Sequence, residues 1–224
     1  MKLSIIIPTY NEERTIEEII KKVINLPLNV EKELIVINDG STDKTNQILE
    51  ELKKEFNFIL LFHEKNQGKG AAIKTGINAS TGKVVIIQDA DLEYHPDDWE
   101  EMLNKFNGKN VVYGSRNINP ERKGYSHYVF GVWFLTAINN LLFNSKLTDT
   151  YTCYKLIPVN LIKSIDLKSN GFEVEAEMTA KFLKKGIEIN EVPIKYSPRK
   201  FKEGKKIRFK DGLIGLWTIF KYRF

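Results

Sequence analysis

The sequence has one cysteine, Cys153, in 224 residues, so an internal disulfide is excluded and a reducing compartment is expected. Its three histidines stand in unrelated contexts without zinc spacing. No apolar run approaches the roughly 20 residues needed to cross a bilayer. The longest patch, "YVFGVWFLTAI", falls well short, so the chain is expected not to span a membrane. "MKLSIIIPTYNEE" is broken by Pro8 and two glutamates and reads as a first β-strand, not a signal peptide. Phosphate-loop spacing is also missing. "NQGKGAAIKTG" lacks Gly-x4-Gly-Lys-Ser/Thr, and no Gly-x-Gly-x-x-Gly follows the first strand. Kinase-like and dinucleotide-binding readings lose their support. The segment reads instead as a tight turn opening a helix, with Lys69 facing phosphate. Repeats, low-complexity tracts and a linker marking a second folded domain are all absent.

What is present fits one soluble α/β domain, with 42% hydrophobic and 28% charged residues. Charge is unevenly placed. The net charge is +5, yet Lys195 to Phe224 alone carries ten Lys/Arg against two Asp/Glu. The remainder is therefore slightly acidic, and the basic C-terminal stretch suggests a local anionic partner. We divide the chain into a catalytic domain, 1–206, and an amphipathic basic segment, 207–224.

The first half alternates strand and helix. "LSIIIP", "ELIVIND", "FILLF" and "KVVIIQD" are continuous apolar strands. Between them, "TIEEIIKKVI" repeats Ile16, Ile19, Ile20 and Val23 at helical spacing, and "STDKTNQILEELKKEF" and "GKGAAIKTGINAS" are helical. This pattern predicts a Rossmann-like, mostly parallel sheet with helices on both faces. In the second half, "PDDWEEMLNKF" is a helix, "NVVYGSR" a strand and "SHYVFGVWFLTAINNLLF" an unusually apolar helix. "GIEINEVPIKYS" is strand-like, and "IRFKDGLIGLWTIFKYRF" interleaves apolar and basic residues.

Three strands end in polar signatures, "IIIPTYNEE", "IVINDGSTD" and "IIQDADLE", and this fold brings such ends to one edge, where ligands bind. Asp89 and Asp91 point to the same side of an extended chain, and Glu93 continues the row. Such a cluster repels itself unless a cation neutralises it, and hard oxygen donors select Mg²⁺ or Mn²⁺. Asp97 and Asp98, by contrast, read as helix-capping acids. Asp39 has two compatible roles. It suits a ribose or base edge, and it suits an Asp-Gly turn in which Ser41, Thr42 or Asp43 caps the next helix. Cys153 reads as a packing thiol, not a nucleophile.

"SIIIPTYNEE", "VINDGSTDKT", "NQGKGAAIKTG", "DADLE", "YGSR", "DTYTCYK" and "YSPRKFKEGKKIRFKDG" together resemble family 2 glycosyltransferases. Within that family the chain is most similar to the dolichyl- or polyprenyl-phosphate hexose synthases. The ordered set covers almost the whole chain and is far more specific than a bare Asp-x-Asp. The resemblance implies a GT-A fold, a nucleotide-diphosphate sugar donor (GDP-mannose or UDP-glucose), a divalent metal and a lipid-phosphate acceptor. It implies nucleotide contacts from Pro8, Tyr10, Glu12, Ile37 and Asp39, and contacts from Asp89, Ala90 and Asp91 to nucleotide, sugar or metal. Asp91 and Glu93 would hold the metal, Arg116 would meet phosphate near the reaction centre, and Arg199 and Lys205 would close over the donor. Asp89, Asp91 and Arg116 are the candidate catalytic residues. The sequence departs from the family in three places. Glu93 stands where Gln is common, "GKK" replaces Gly-x-Ser-Lys, so that Lys206 competes with Lys205, and "TCYK" replaces Thr/Ser-Gly-Phe-Arg.

An anionic lipid phosphate needs no strong general base; it needs screening from the donor diphosphate, which a metal and arginines supply. A lipid acceptor implies work at a membrane surface, on its cytoplasmic face, alone or with a membrane-spanning partner. Both "SHYVFGVWFLTAINNLLF", with Tyr128, Trp133 and Phe134, and "IRFKDGLIGLWTIFKYRF", with Trp217 and Phe220 beside Lys210, Lys221 and Arg223, suit an interfacial helix. The competing reading of the first is a core helix, and of the second, packing on the domain. Two rival functions share some of these features: a glycosyltransferase acting on a sugar or protein hydroxyl, which would need a base, and a basic nucleic-acid-binding protein. No nucleic-acid motif is present, so a nucleic-acid partner is not expected.

Overall fold

Ile5, Ile6 and Ile7 are all fully buried, which requires cover on both faces of the strand that carries them. The computed structural model describes residues 1–118, 126–199, 206 and 209–224, with side chains of 126–129 and 209 outside the description. Among these residues seven strands form one sheet, in the order β3-β2-β1-β4-β6-β5-β7. They are β1 (Lys2–Thr9), β2 (Glu31–Asn38), β3 (Ile59–Phe62), β4 (Val84–Ile87), β5 (Val111–Ser115), β6 (Lys155–Pro158) and β7 (Ile189–Pro193). β1 pairs in parallel with β2 and β4, β2 with β3, and β5 with β7. β6 runs antiparallel between β4 and β5. The sheet is thus mostly parallel, as expected, with one reversed strand. The chain moves outward from β1 through β2 to β3, then returns to the other side of β1 at β4. This is a topological switch point, where open α/β sheets place their ligand crevice.

Alternate residues of β1 feed two cores. Leu3, Ile5 and Ile7 pack with Ile16, Ile19, Ile20 and Val23 of α1 (Ile16–Asn25), Leu49 and Leu52 of α2 (Thr45–Glu55), and Trp99 and Met102 of α4 (Trp99–Lys105). Ile6 packs on the opposite face with Ala72, Ile73 and Ile77 of α3 (Lys69–Ala79), Ile162 of α6 (Val159–Ser164), and Val174, Met178 and Phe182 of α7 (Val174–Lys184). A third, smaller cluster joins Leu135 of α5 (Ser126–Phe143) with Tyr151, Ala176 and Ile219 of α8 (Phe209–Arg223).

Every strand and helix expected from the sequence is present. β6, α6 and α7 lie where no element was expected. Two local expectations need correction. Asp98 does not cap α4; its Oδ2 accepts the Lys195 N–H at 2.9 Å and so ties the exit of β7 to this corner. Lys69 faces carboxylates, as described below. At α2 the expected division of labour holds: Asp43 Oδ1 accepts the Thr45 N–H at 3.0 Å, while Asp39 works elsewhere.

α5 and α8 each have a buried face and an exposed apolar face. Leu135, Thr136 and Asn139 of α5 and Thr218 and Ile219 of α8 are buried. Phe130, Trp133, Phe134 and Leu141 of α5, and Leu213, Ile214, Trp217 and Phe220 of α8, are exposed. The Tyr128 side chain lies outside the described residues. α8 is seated through Gly215, where an added Cβ would overlap the Tyr151 hydroxyl. No helix among the described residues is long and apolar enough to cross a membrane.

Candidate active site

The carboxyl ends of β1, β2, β4 and β5 deliver Glu12, Asp39, Asp89–Glu93 and Arg116 to one edge, and Arg199 and Lys206 reach it from beyond β7. At the end of β2, Asp39 is 2% exposed and held by His63, Gln67 and Gly68. Its Oδ1 lies 2.6 Å from His63 Nδ1 and accepts the Gln67 N–H, and its Oδ2 accepts the Gly68 N–H at 2.8 Å. Gly68 has φ +101°, and a Cβ there would collide with the Asn170 carbonyl. Asp39 therefore holds the turn that opens α3. Ile37 is buried in the core and Ala90 is 3% exposed, which leaves their main chains as the parts a ligand can meet. Pro8 and Tyr10 are half-buried at the end of β1.

α3 begins at Lys69, which points at Asp89 and not at an open phosphate position. Its Nζ lies 2.6 Å from Asp89 Oδ1, 2.9 Å from Cys153 Sγ and 3.5 Å from Glu175 Oε1. Glu175 also pairs with the fully buried Lys155. Two lysines and two carboxylates thus alternate beneath the site. Burial pulls the Lys69 ammonium toward neutrality, but the Asp89 and Glu175 carboxylates outweigh it and hold the pKa well above the usual lysine value. Burial likewise raises Asp89, and Lys69 reverses this, leaving Asp89 below the usual range and ionised. Burial and the Asp89 charge push the Cys153 thiol well up, which keeps it protonated and matches a packing role.

Asp91 is in the opposite position. Burial, then the neighbouring charges of Asp89 and Glu93, push its carboxyl up to about 7, against the opposing pull of Arg199. The Arg199 guanidinium supplies the cation in this cluster. Its Nη2 donates to Asp91 Oδ2 at 2.7 Å, its Nη1 to Glu12 Oε2 at 3.0 Å, and its Nε lies 3.8 Å from Glu93 Oε1. Lys206 Nζ lies 2.6 Å from Glu12 Oε1 and donates also to the Tyr10 carbonyl. Lys205, the other expected donor contact, lies outside the described residues. Glu93 is buried, accepting the Tyr196 hydroxyl at 2.6 Å and the Arg199 N–H at 2.8 Å.

Arg116 follows β5. Its Nε and Nη2 donate to Asp149 Oδ2 and Oδ1 at 2.7 and 2.8 Å, a bidentate pair with a fully buried carboxylate. Its guanidinium carbon stands 5.2 Å from the Tyr196 ring centre and 6.0 Å from that of Tyr94. Tyr196 therefore links Arg116 to Glu93. Asp149 opens the segment "DTYTCYK", but nothing in the sequence alone marks it, Tyr94 or Tyr196 as part of the site.

Hard carboxylate donors on a short extended segment suit Mg²⁺ or Mn²⁺, whose remaining ligands are usually waters and phosphate oxygens. Among the described residues no three His, Cys, Asp or Glu side chains form a complete ligand cluster. Asp91 and Glu93 together supply two carboxylates, and Asp91's raised pKa marks a local excess of negative charge, so the donor set fits a cation that a diphosphate helps to complete.

The sheet, its switch point and the carboxylate row at its carboxyl edge define a GT-A glycosyltransferase fold. The Glycosyl transferase family 2 model matches residues 4–165, and the chain belongs to that family. It is 33% identical over 206 residues, covering 87% of this chain and 81% of the relative, to an uncharacterized protein of Methanocaldococcus jannaschii. A dolichyl-phosphate beta-glucosyltransferase of Trichomonas vaginalis is 29% identical, with 96% of this chain and 71% of that protein covered. A dolichol-phosphate mannosyltransferase of Pyrococcus furiosus is 31% identical over 119 residues, which cover 53% of this chain and 34% of that protein. The fold is similar to that of glucosyl-3-phosphoglycerate synthase from Mycobacterium tuberculosis, solved with Mn²⁺, UDP and phosphoglyceric acid. The TM-score is 0.76 at 19% identity, over 99% of this chain and 78% of that one.

Proposed function

We propose that this chain transfers a hexose from a nucleotide-diphosphate sugar, GDP-mannose or UDP-glucose, to a polyprenyl or dolichyl phosphate, with inversion at the anomeric carbon and dependence on Mg²⁺ or Mn²⁺. The observation that carries the reading is the meeting of an acidic cluster, Glu12, Asp91 and Glu93, with Arg116 across one shared residue, Tyr196. One side suits a metal-bound diphosphate and the other a second phosphate. The two dolichyl-phosphate relatives support a lipid acceptor.

Asp91 and Glu93 would hold the metal, which when bound neutralises the diphosphate leaving group. Asp89, kept ionised and fixed by Lys69, would contact the nucleotide or sugar. Pro8, Tyr10, Glu12, the Ile37 and Ala90 main chains and Asp39 line the nucleotide side. Arg116, fixed by Asp149 and by two aromatic rings, keeps a preorganised positive charge at the reaction edge. That charge lets an acceptor phosphate oxygen approach the anomeric carbon on the face opposite the leaving diphosphate. No proton need be removed from the acceptor, so no side chain is assigned as a general base. Arg199 and Lys206 complete the donor side; Lys205 is assigned there by resemblance alone.

The exposed apolar faces of α5 and α8 would rest in the interface of the cytoplasmic leaflet, with Lys210, Lys221 and Arg223 toward the anionic headgroups. The test is a panel of nucleotide sugars with Mn²⁺, read by transfer to a polyprenyl phosphate and to water-soluble hydroxyl acceptors. Transfer to the lipid phosphate is expected. Transfer only to soluble hydroxyls would overturn the acceptor assignment and require a base.

A further inference from the structure

The two arginines of the site are held differently. Arg116 sits where a guanidinium fork fits: both Nε and Nη2 are satisfied by one carboxylate. Arg199 sits where its charge fits and its fork does not. It spreads over Glu12, Asp91 and Glu93, while among the described residues its buried Nε has no hydrogen-bond partner and lies 3.8 Å from the nearest Glu93 oxygen. A site shaped for arginine would satisfy that donor.

We propose that Arg199 is a resident stand-in for the divalent cation. In the donor-free chain its guanidinium occupies the Asp91–Glu93 pair, so Arg199 and the metal bind that pair in mutual exclusion. Metal arrival then releases Arg199 toward the donor. The proposal rests on the metal assignment made above for Asp91 and Glu93.

The charges around the cluster allow the exchange. When Arg199 leaves, Glu12 keeps Lys206 at 2.6 Å and is not stranded. Glu93 keeps the Tyr196 hydroxyl. Among the described residues Asp91 retains only the Glu93 N–H at 3.1 Å, so it is the carboxylate that most requires a replacement cation. A dication supplies one with more charge than it displaces. The main chain is involved too, because the Arg199 N–H donates to the Glu93 oxygen, Oε1, that also faces its guanidinium. A metal drawing on that oxygen competes with this bond as well.

The experiment is a titration of the full chain with Mn²⁺ alone, without nucleotide, with free ion read by electron paramagnetic resonance. It is paired with hydrogen exchange at the Arg199 amide. Arg199→Gln is expected to bind Mn²⁺ about tenfold more tightly than the wild type, within the usual range of coupling between mutually exclusive partners. Asp91→Asn is expected to abolish binding in either background. In the wild type, saturating Mn²⁺ is expected to speed exchange at the Arg199 amide. Equal or weaker Mn²⁺ binding by Arg199→Gln would overturn the exclusion and leave the metal site standing. Tighter binding with unchanged exchange in the wild type would reduce Arg199 to a distant field and also overturn it. Binding that survives Asp91→Asn, or no saturable binding in any variant, would overturn the metal assignment itself.

Discussion

Asp91 and Arg116 differ in what their removal leaves behind, and this decides how each can be tested. Asp91 already has a carboxyl pushed up to about 7 by burial and by Asp89 and Glu93, so a neutral amide costs the fold little. Asp91→Asn is expected to lower turnover by on the order of a hundredfold or more and to cut Mn²⁺-dependent nucleotide binding. Its melting temperature should stay near that of the wild type; unchanged turnover would remove Asp91 from the metal. Arg116→Ala, by contrast, strands the fully buried Asp149 carboxylate, an uncompensated charge costing about 3–5 kcal/mol. Lost activity alone would then be uninterpretable. The informative comparison adds Asp149→Asn. The double variant is expected to recover most of the melting temperature in thermal denaturation while remaining inactive, because the charge facing the acceptor phosphate is still missing. Restored activity would make Arg116 purely structural. At this scale the sequence was legible where chemistry is written in adjacent letters, as in Asp89-Ala90-Asp91-Leu92-Glu93. It was not legible where a partner is remote: Asp149 lies 33 residues from Arg116, Cys153 84 from Lys69, and Tyr196 103 from Glu93. Lys69 shows the result. Its place at the start of α3 suggested phosphate, and only the fold reveals the carboxylates and thiol that surround it.

The elements that could be read were those whose burial is apolar. α1 buries Ile16, Ile19, Ile20 and Val23 in a clean stripe, and β1, β2 and β4 are continuous apolar runs. α7 buries Glu175, Glu177 and Thr179 together with Val174, Met178 and Phe182, so its apolar periodicity is broken by residues whose polar partners come from elsewhere. β6 is a strand of four residues that begins with a buried lysine and ends in proline, and its antiparallel run between β4 and β5 depends on neighbours distant in sequence. Glu177 makes α7 a source of pH-dependent stability. Its oxygens accept the Lys168 and Ser169 N–H groups at 2.8 and 2.7 Å and pair with Lys181 at 2.5 Å, anchoring the loop beside Gly68 and Gly70. Burial raises its pKa, but the bonds from Lys181, Ser169 and Lys168 outweigh this and lower it from 4.5 to about 2. A depressed carboxylate contributes stability that is complete above its unfolded pKa and is lost as pH falls through its folded one. Glu177→Gln is therefore expected to cost about 1–3 kcal/mol at pH 7. In denaturant titrations its gap from the wild type should narrow progressively below about pH 4.5. A gap independent of pH would show that packing, not charge, carries the effect.

On the whole molecule, apolar exposure is concentrated on α5 and α8, and this determines how membrane attachment should be tested. Removing residues 207–224 would also take out buried Ile219 and the Gly215 seat for Tyr151, uncovering the Leu135 cluster; a deletion would confuse unfolding with detachment. Surface substitutions avoid this, because Trp133 is 57% exposed and Trp217 68% exposed, and neither packs into the third cluster. Burying a large apolar side chain is worth about 1.5–3 kcal/mol, so exchanging both indoles for serine should weaken partition onto vesicles by at least about tenfold. Lys210, Lys221 and Arg223 each add about 1 kcal/mol near an anionic leaflet, so wild-type pelleting with anionic liposomes should fall as salt rises. The Trp133→Ser/Trp217→Ser variant is expected to keep its melting temperature and its nucleotide affinity. It should pellet poorly and lose activity toward long-chain lipid phosphates, while transfer to a short, soluble prenyl phosphate persists. That split separates a protein that has lost its surface from one that has lost its site. Full pelleting of the double variant at moderate salt would remove this face from the membrane. Its exposed aromatics would then mark the seat of a protein partner.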